Sequence, residues 1–207
     1  MLAWERSKLR KAAVRYATHG WHVRPGAFLA GQDTARRAKG RRFDCGRLGC
    51  RTVACHPTGL PATCHPSEVA AHWRVHPYTV LFPTGYAFDV LEVPATLGHA
   101  ALLSDGFGAA RGPVAVTPGE RWMFLVLAGH GLLPELAQQQ DVVLHGQGSW
   151  VPAPPSPQFG GRVRWEISPQ AQSWQPAEPY AVQALMLDAI GAGPVNTAGR
   201  ATRHAAA

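Results

Sequence analysis

All four cysteines of the chain fall between residues 45 and 64: Cys45, Cys50, Cys55 and Cys64. Two are followed directly by histidine, in Cys55-His56 and Cys64-His65. Thiolate and imidazole are the ligands that Zn²⁺ prefers, and a structural zinc site draws four of them together. In a chain without a readable secretory signal, clustered cysteines read as metal ligands rather than disulfides. A basic run precedes the cluster: Arg36, Arg37, Lys39, Arg41 and Arg42. A metal-tied loop beside such a run points to nucleic acid, whose phosphates it would grip. A second candidate chemistry lies in the run Asp89-Val-Leu-Glu92-Val-Pro94, where carboxylates sit on a β-rich segment. Residues i and i+2 of a strand share a face, so paired acids at that spacing can hold one metal pair. Asp89 and Glu92 are three apart, which places them on opposite faces of a regular strand.

The 207 residues suffice for one sizeable domain, and the 46% apolar fraction suits a packed core. The net charge of +7 favours polyanionic partners. The longest apolar stretches, around 78–93 and 122–133, are interrupted by Pro, Gly, Asp or His, so neither reads as a membrane span. A cytoplasmic protein is the expectation.

Helical spacing of Leu9, Ala12, Ala13, Tyr16 and Ala17 predicts a helix over 7–18. Trp21–Arg24 reads as a short strand stopped by Pro25-Gly26. Residues 26–66 lack periodicity, and a loop of that length needs a tie, which the Cys/His cluster would supply. Ser67 is the expected N-cap of a short helix ending at Pro77. Tyr78–Phe82 and Ala87–Val93 read as a hairpin about Pro83-Thr84-Gly85, and Val114–Thr117 with Trp122–Leu127 as a second about Pro118-Gly119. Helices are expected over 96–104 and 132–139, and strands over 142–144, 150–153 and 162–165. The interleaving predicts an α+β class for residues 1–168, with the Cys/His loop at 43–66. Residues 169–179 read as a linker, 180–191 as a C-terminal helix and 192–207 as a disordered tail. The tryptophans fall on predicted strands and helices and are expected in the core. His99, His130 and His145 are scattered, and read as structural or exposed.

The order of five segments identifies a relative: Gly20-Trp21-His22-Val23-Arg24-Pro25, Cys55-His56-Pro57, Phe82-Pro83-Thr84-Gly85, Phe88–Val93, and Trp150-Val-Pro-Ala-Pro-Pro-Ser156. Over about 8–168 the chain resembles the bifunctional DNA primase/polymerase (prim-pol) domain of the archaeo-eukaryotic primases, in its shortened actinobacterial form. The resemblance implies mixed sheets with flanking helices and a zinc-knuckle loop, DNA or nucleotide as partner, and template-directed nucleotidyl transfer with Mg²⁺ or Mn²⁺. It implies zinc ligands at Cys45, Cys50 and His56, with Phe43 where a further cysteine usually stands. Cys55, Cys64 or His65 could complete the set; Cys64 is preferred, because Cys55 directly precedes His56.

The family's first catalytic motif, two acids two positions apart, matches Glu92 and Pro94. Its second, a histidine for the nucleotide phosphates, matches Trp122, with Arg121 expected on the other face. Its third, an acidic residue, matches Val143, two positions after Asp141. The resemblance therefore implies a degenerate relative that keeps nucleic-acid or nucleotide binding. The competing readings are a non-enzymatic regulatory or interaction scaffold, a transferase using Asp89, Glu92 and Asp141 in shifted geometry, and a zinc finger built from Cys50, Cys55, His72 and His76.

Overall fold

The computed structural model describes residues 2–30 and 42–191. The chain opens with α1 (Leu2–Thr18), then the short strands β1 (Arg24–Gly26), β2 (Phe28–Ala30) and β3 (Arg42–Asp44). After the cysteine loop come α2 (Pro66–His72), β4 (Thr79–Pro83), β5 (Asp89–Pro94) and α3 (Ala95–Leu103). The hairpin β6 (Val114–Val116) and β7 (Arg121–Val126) leads to α4 (Pro134–Ala137) and β8 (Val143–His145). The remainder is β9 (Trp150–Pro152), β10 (Pro157–Gln158), β11 (Gly161–Arg162), β12 (Arg164–Ile167) and α5 (Pro179–Gly191).

These elements give the α+β architecture that the sequence predicts. A five-stranded antiparallel sheet runs β12-β6-β7-β5-β8, and a three-stranded one runs β1-β4-β9. The larger sheet is buried on both faces. One face, with Val90, Met123 and Leu125, joins α1, α2 and β4 in a first core. The other, with Leu91, Val93, Trp122 and Phe124, packs on α3 and α5 in a second core. Trp73 and Trp122 are fully buried, as expected of core tryptophans.

Four local expectations are corrected. Pro25 and Gly26 lie inside β1 rather than stopping it, because β1 is a sheet edge, where a residue without an N–H is tolerated. The segments around β4 and β5 are not a hairpin. They enter different sheets, and the turn between them, with Gly85 at φ +87°, redirects the chain. The N-cap of α2 is His65, not Ser67, because Pro66 occupies the first helical position, which its fixed φ suits. Residues 169–179 do not lead away from the domain. Ala177 exchanges backbone hydrogen bonds with Leu125 (2.9 Å) and Leu127 (3.0 Å), and α5 buries Val182, Leu185 and Met186 in the second core. The expected tail, 192–207, lies outside the described residues.

Candidate functional site

The site grows from β5. Because side chains alternate along a strand, Asp89 shares a face with Leu91 and Val93 of the second core, and Glu92 shares one with Val90 of the first. Asp89 is buried; its Oδ2 accepts from the Gly129 N–H at 2.9 Å, and its Oδ1 has no partner among the described residues. The candidate pair Asp89 and Glu92 is therefore divided between the two faces, with no shared metal position.

Glu92 instead meets Arg121 and His145 from the neighbouring strands. On β7, Met123 pairs with Glu92, and Arg121, two residues earlier, shares its face. The Arg121 Nε donates to Glu92 Oε1 at 2.7 Å, and its Nη2 donates to the Asp141 carbonyl at 2.7 Å. On β8, Val143 pairs with Glu92, and His145, two residues on, shares that face. His145 Nε2 lies 2.9 Å from Glu92 Oε2, and its Nδ1 lies 3.1 Å from the Ser149 hydroxyl. A carboxylate only accepts, so Nε2 carries the proton. Burial pushes the Glu92 carboxyl up, but the hydrogen bonds from His145 and Arg121 outweigh it and hold the group below its ordinary value.

This corrects the expectation for Arg121, which faces Glu92, and for Trp122, which faces away. The Trp122 indole packs in the second core beside His99 (ring centroids 4.4 Å) and over Gly98, where a Cβ would stand 2.5 Å from its Cγ. It corrects the reading of His145 as well, which belongs to the site. A cleft of about 630 Å³ opens here. Glu92, His145 and Ser149 form one wall, Phe43 and Cys55 another, and Phe159 the rim. Glu92 is the one carboxylate among the described lining residues.

The Phe43 wall belongs to the cysteine loop. β2 and β3 pair, and the chain turns after Asp44, whose Oδ1 accepts from the Gly46 N–H at 2.8 Å. The turn brings ligand atoms of Cys45, Cys50 and His56 within 4.8 Å of one another, a group that could hold a metal ion. Cys50 Sγ lies 3.5 Å from His56 Nε2, while His56 Nδ1 lies 2.8 Å from the Ala54 carbonyl. That carbonyl fixes the proton on Nδ1 and leaves the Nε2 lone pair facing the thiols, the arrangement that metal-bound imidazoles adopt. The donor set therefore fits a soft metal such as zinc.

Cys64 does not join this group. Thr63 bridges Val23, whereas the His56 carbonyl accepts from Ala27, so roughly 13 Å of extended chain (four residues) separates the two attachments. Cys55 packs toward Ala27 and Thr79; burial pushes its thiol up to about 11. The zinc-finger alternative is not assembled among the described residues, and His76 stacks instead on Phe28 (centroids 5.1 Å). Thiol modification separates the cysteines. In metal-free protein at neutral pH, Cys50 is exposed and is expected to alkylate at least about tenfold faster than Cys55, whose thiolate is scarce. Peptide mass mapping of a timed iodoacetamide reaction checks this. Equal rates would contradict the burial of Cys55.

Of the basic run, Arg42 is exposed on β3, and Arg36, Arg37, Lys39 and Arg41 lie outside the described residues. No helix is long and apolar enough to cross a membrane among the described residues. The family model of the bifunctional DNA primase/polymerase N-terminal domain matches residues 13–180. The chain belongs to this family. Nothing matches among the curated proteins or the solved structures. The primase/polymerase match spans both sheets and ends at the start of α5, so Glu92, Arg121, His145 and the cysteine loop all lie within it.

Proposed function

We propose that this primase/polymerase-family domain binds nucleotide or nucleic-acid phosphates in the Glu92 cleft and does not carry out nucleotidyl transfer. The carrying observation is that both Glu92 oxygens are held, one by Arg121 and one by His145. Metal-assisted phosphoryl transfer needs converging carboxylates to hold divalent ions. Here the position two residues after Glu92 is Pro94, and Arg121 stands directly across the strand pair from it. A guanidinium bonded to the lone carboxylate competes with a divalent cation for it, while its remaining N–H groups can donate to an anion. His145, which lines the cleft, and the part-exposed Arg121 beside Glu92 are thus suited to phosphate oxygens, with the exposed Phe159 ring offering apolar surface for a base. Cys45, Cys50 and His56 would hold a structural zinc that fixes the Phe43 wall.

Nucleoside triphosphate binding, followed by calorimetry, tests the reading. Affinity is expected to change less than about threefold between excess EDTA and Mn²⁺, because the protein's own cations hold the phosphates. Binding that vanishes in EDTA would reject it in favour of a metal-dependent site.

A further inference from the structure

The cations of α1 divide into two sets. Arg6 and Arg10 turn to α2 and its C-terminal end, donating to the Val75 carbonyl at 3.4 Å and the Ala70 carbonyl at 3.1 Å. Lys8, Lys11 and Arg15, spaced for one helix face, line a separate groove of about 310 Å³ floored by Pro154, Pro155 and Trp165. The floor is fixed: Tyr16 donates its hydroxyl to the Pro154 carbonyl at 2.5 Å, and the Trp165 indole donates to that hydroxyl at 3.1 Å. Two carboxylates of the same elements are already occupied, Glu5 by Arg162 (2.6 Å) and Glu166 by Arg164. Three cations therefore face a groove with no carboxylate among its described lining residues.

We infer that this groove is a second nucleic-acid site, which seats the phosphates of a single strand outside the Glu92 cleft. From Lys8 to Arg15 the helix rises about 10.5 Å, long enough to meet adjacent phosphates of an extended single strand. The Pro155 ring and the Trp165 indole, both half-buried, give apolar support to sugar and base faces, which an acidic peptide does not require. The same stretch of chain serves both places: Trp150, Val151 and Pro152 line the cleft, and Pro154 and Pro155 line the groove. The inference rests on the reading that the domain binds nucleic acid.

The test is anisotropy of a labelled single-stranded oligonucleotide between about 50 and about 200 mM salt, with the wild-type protein and with K8Q/K11Q. Both substitutions lie outside the core and keep helix propensity. Loss of two phosphate contacts is expected to make the salt slope shallower by about 1.4 and to weaken low-salt binding about tenfold. K8R/K11R, which restores both charges, is expected to recover the wild-type slope. An unchanged slope in K8Q/K11Q, with wild-type protein binding, overturns the groove and leaves the cleft reading standing. Absence of wild-type binding even at low salt overturns the groove, and the cleft reading is then decided by the triphosphate titration. Displacement by poly-glutamate as readily as by an oligonucleotide of equal charge assigns the groove to acidic peptides and overturns the inference.

Discussion

Gly85→Ala is expected to destabilise the domain by at least about 3 kcal/mol, lowering Tm by about 6–12 °C for a chain of this size. Two costs combine. Gly85 has φ +87°, a conformation that an L side chain adopts at about 1–2 kcal/mol. Its added Cβ would stand 2.4 Å from the Gln147 Cα, a backbone atom that cannot rotate away. Gln147 belongs to the turn between His145 and Ser149, which Thr84 anchors by donating to the Gly146 carbonyl (2.5 Å) and the Ser149 carbonyl (3.1 Å). The substitution should therefore move the His145 wall of the cleft and weaken nucleotide binding together with stability. Gly146→Ala is the control: a Cβ there meets nothing within 4 Å, and a change within about 0.5 kcal/mol is expected. Thermal and urea denaturation of the two variants decides the matter. Equal stabilities would contradict the close approach of the two turns.

Arg121→Met, which keeps bulk and removes charge, is expected to cost about 1–3 kcal/mol, because a charge-assisted hydrogen bond to a part-buried carboxylate and one to the Asp141 carbonyl are lost. Triphosphate affinity should fall about 10- to 100-fold, the worth of one such bond to an anion. The two readouts carry different information, since a merely structural arginine would lower stability alone. The pH dependence follows from Glu92. Burial raises its carboxyl, and the bonds from His145 and Arg121 more than offset this, so the folded value lies below the unfolded one. The stabilisation is complete above the ordinary glutamate range and is lost as pH falls through the lower, folded value. In Arg121→Met that acid-side loss should shrink. Stability measured by urea denaturation between neutral and about pH 4 checks the sign. An unchanged acid limb would mean that Arg121 does not hold the carboxylate.

The fold class and the β6–β7 hairpin were legible because their signals are local: interleaved strand and helix patterns, and a Pro-Gly turn between two apolar runs. The family was legible from the order of short segments. The face of Arg121 was not. β7 reads Arg-Trp-Met-Phe-Leu-Val, and both of its faces are buried, so it has no polar alternation to set its phase. Register against β5 decides it, and register is a property of the assembled sheet. His145 was missed for the same reason, since its partner Glu92 lies 53 residues away. Alternation within Val143-Leu144-His145 would have placed His145 on the face of Val143, the position matched to the third acidic motif, and is the one signal that pointed there. The separation of Asp89 from Glu92 was legible, because it needs only the period of a strand. Cys64 misled because proximity in sequence hid its attachment: Thr63 is tied to Val23, away from His56.

With both Glu92 oxygens taken by Arg121 and His145, the cleft is proposed to bind phosphates through those two side chains without transferring them. The most direct measurement is extension of a primed template by the purified protein with Mn²⁺ and all four deoxynucleotides. No template-dependent product above the protein-free control is expected. Template-dependent product that disappears in Glu92→Gln would contradict it, and would mean that Glu92 leaves its two partners to carry the metal.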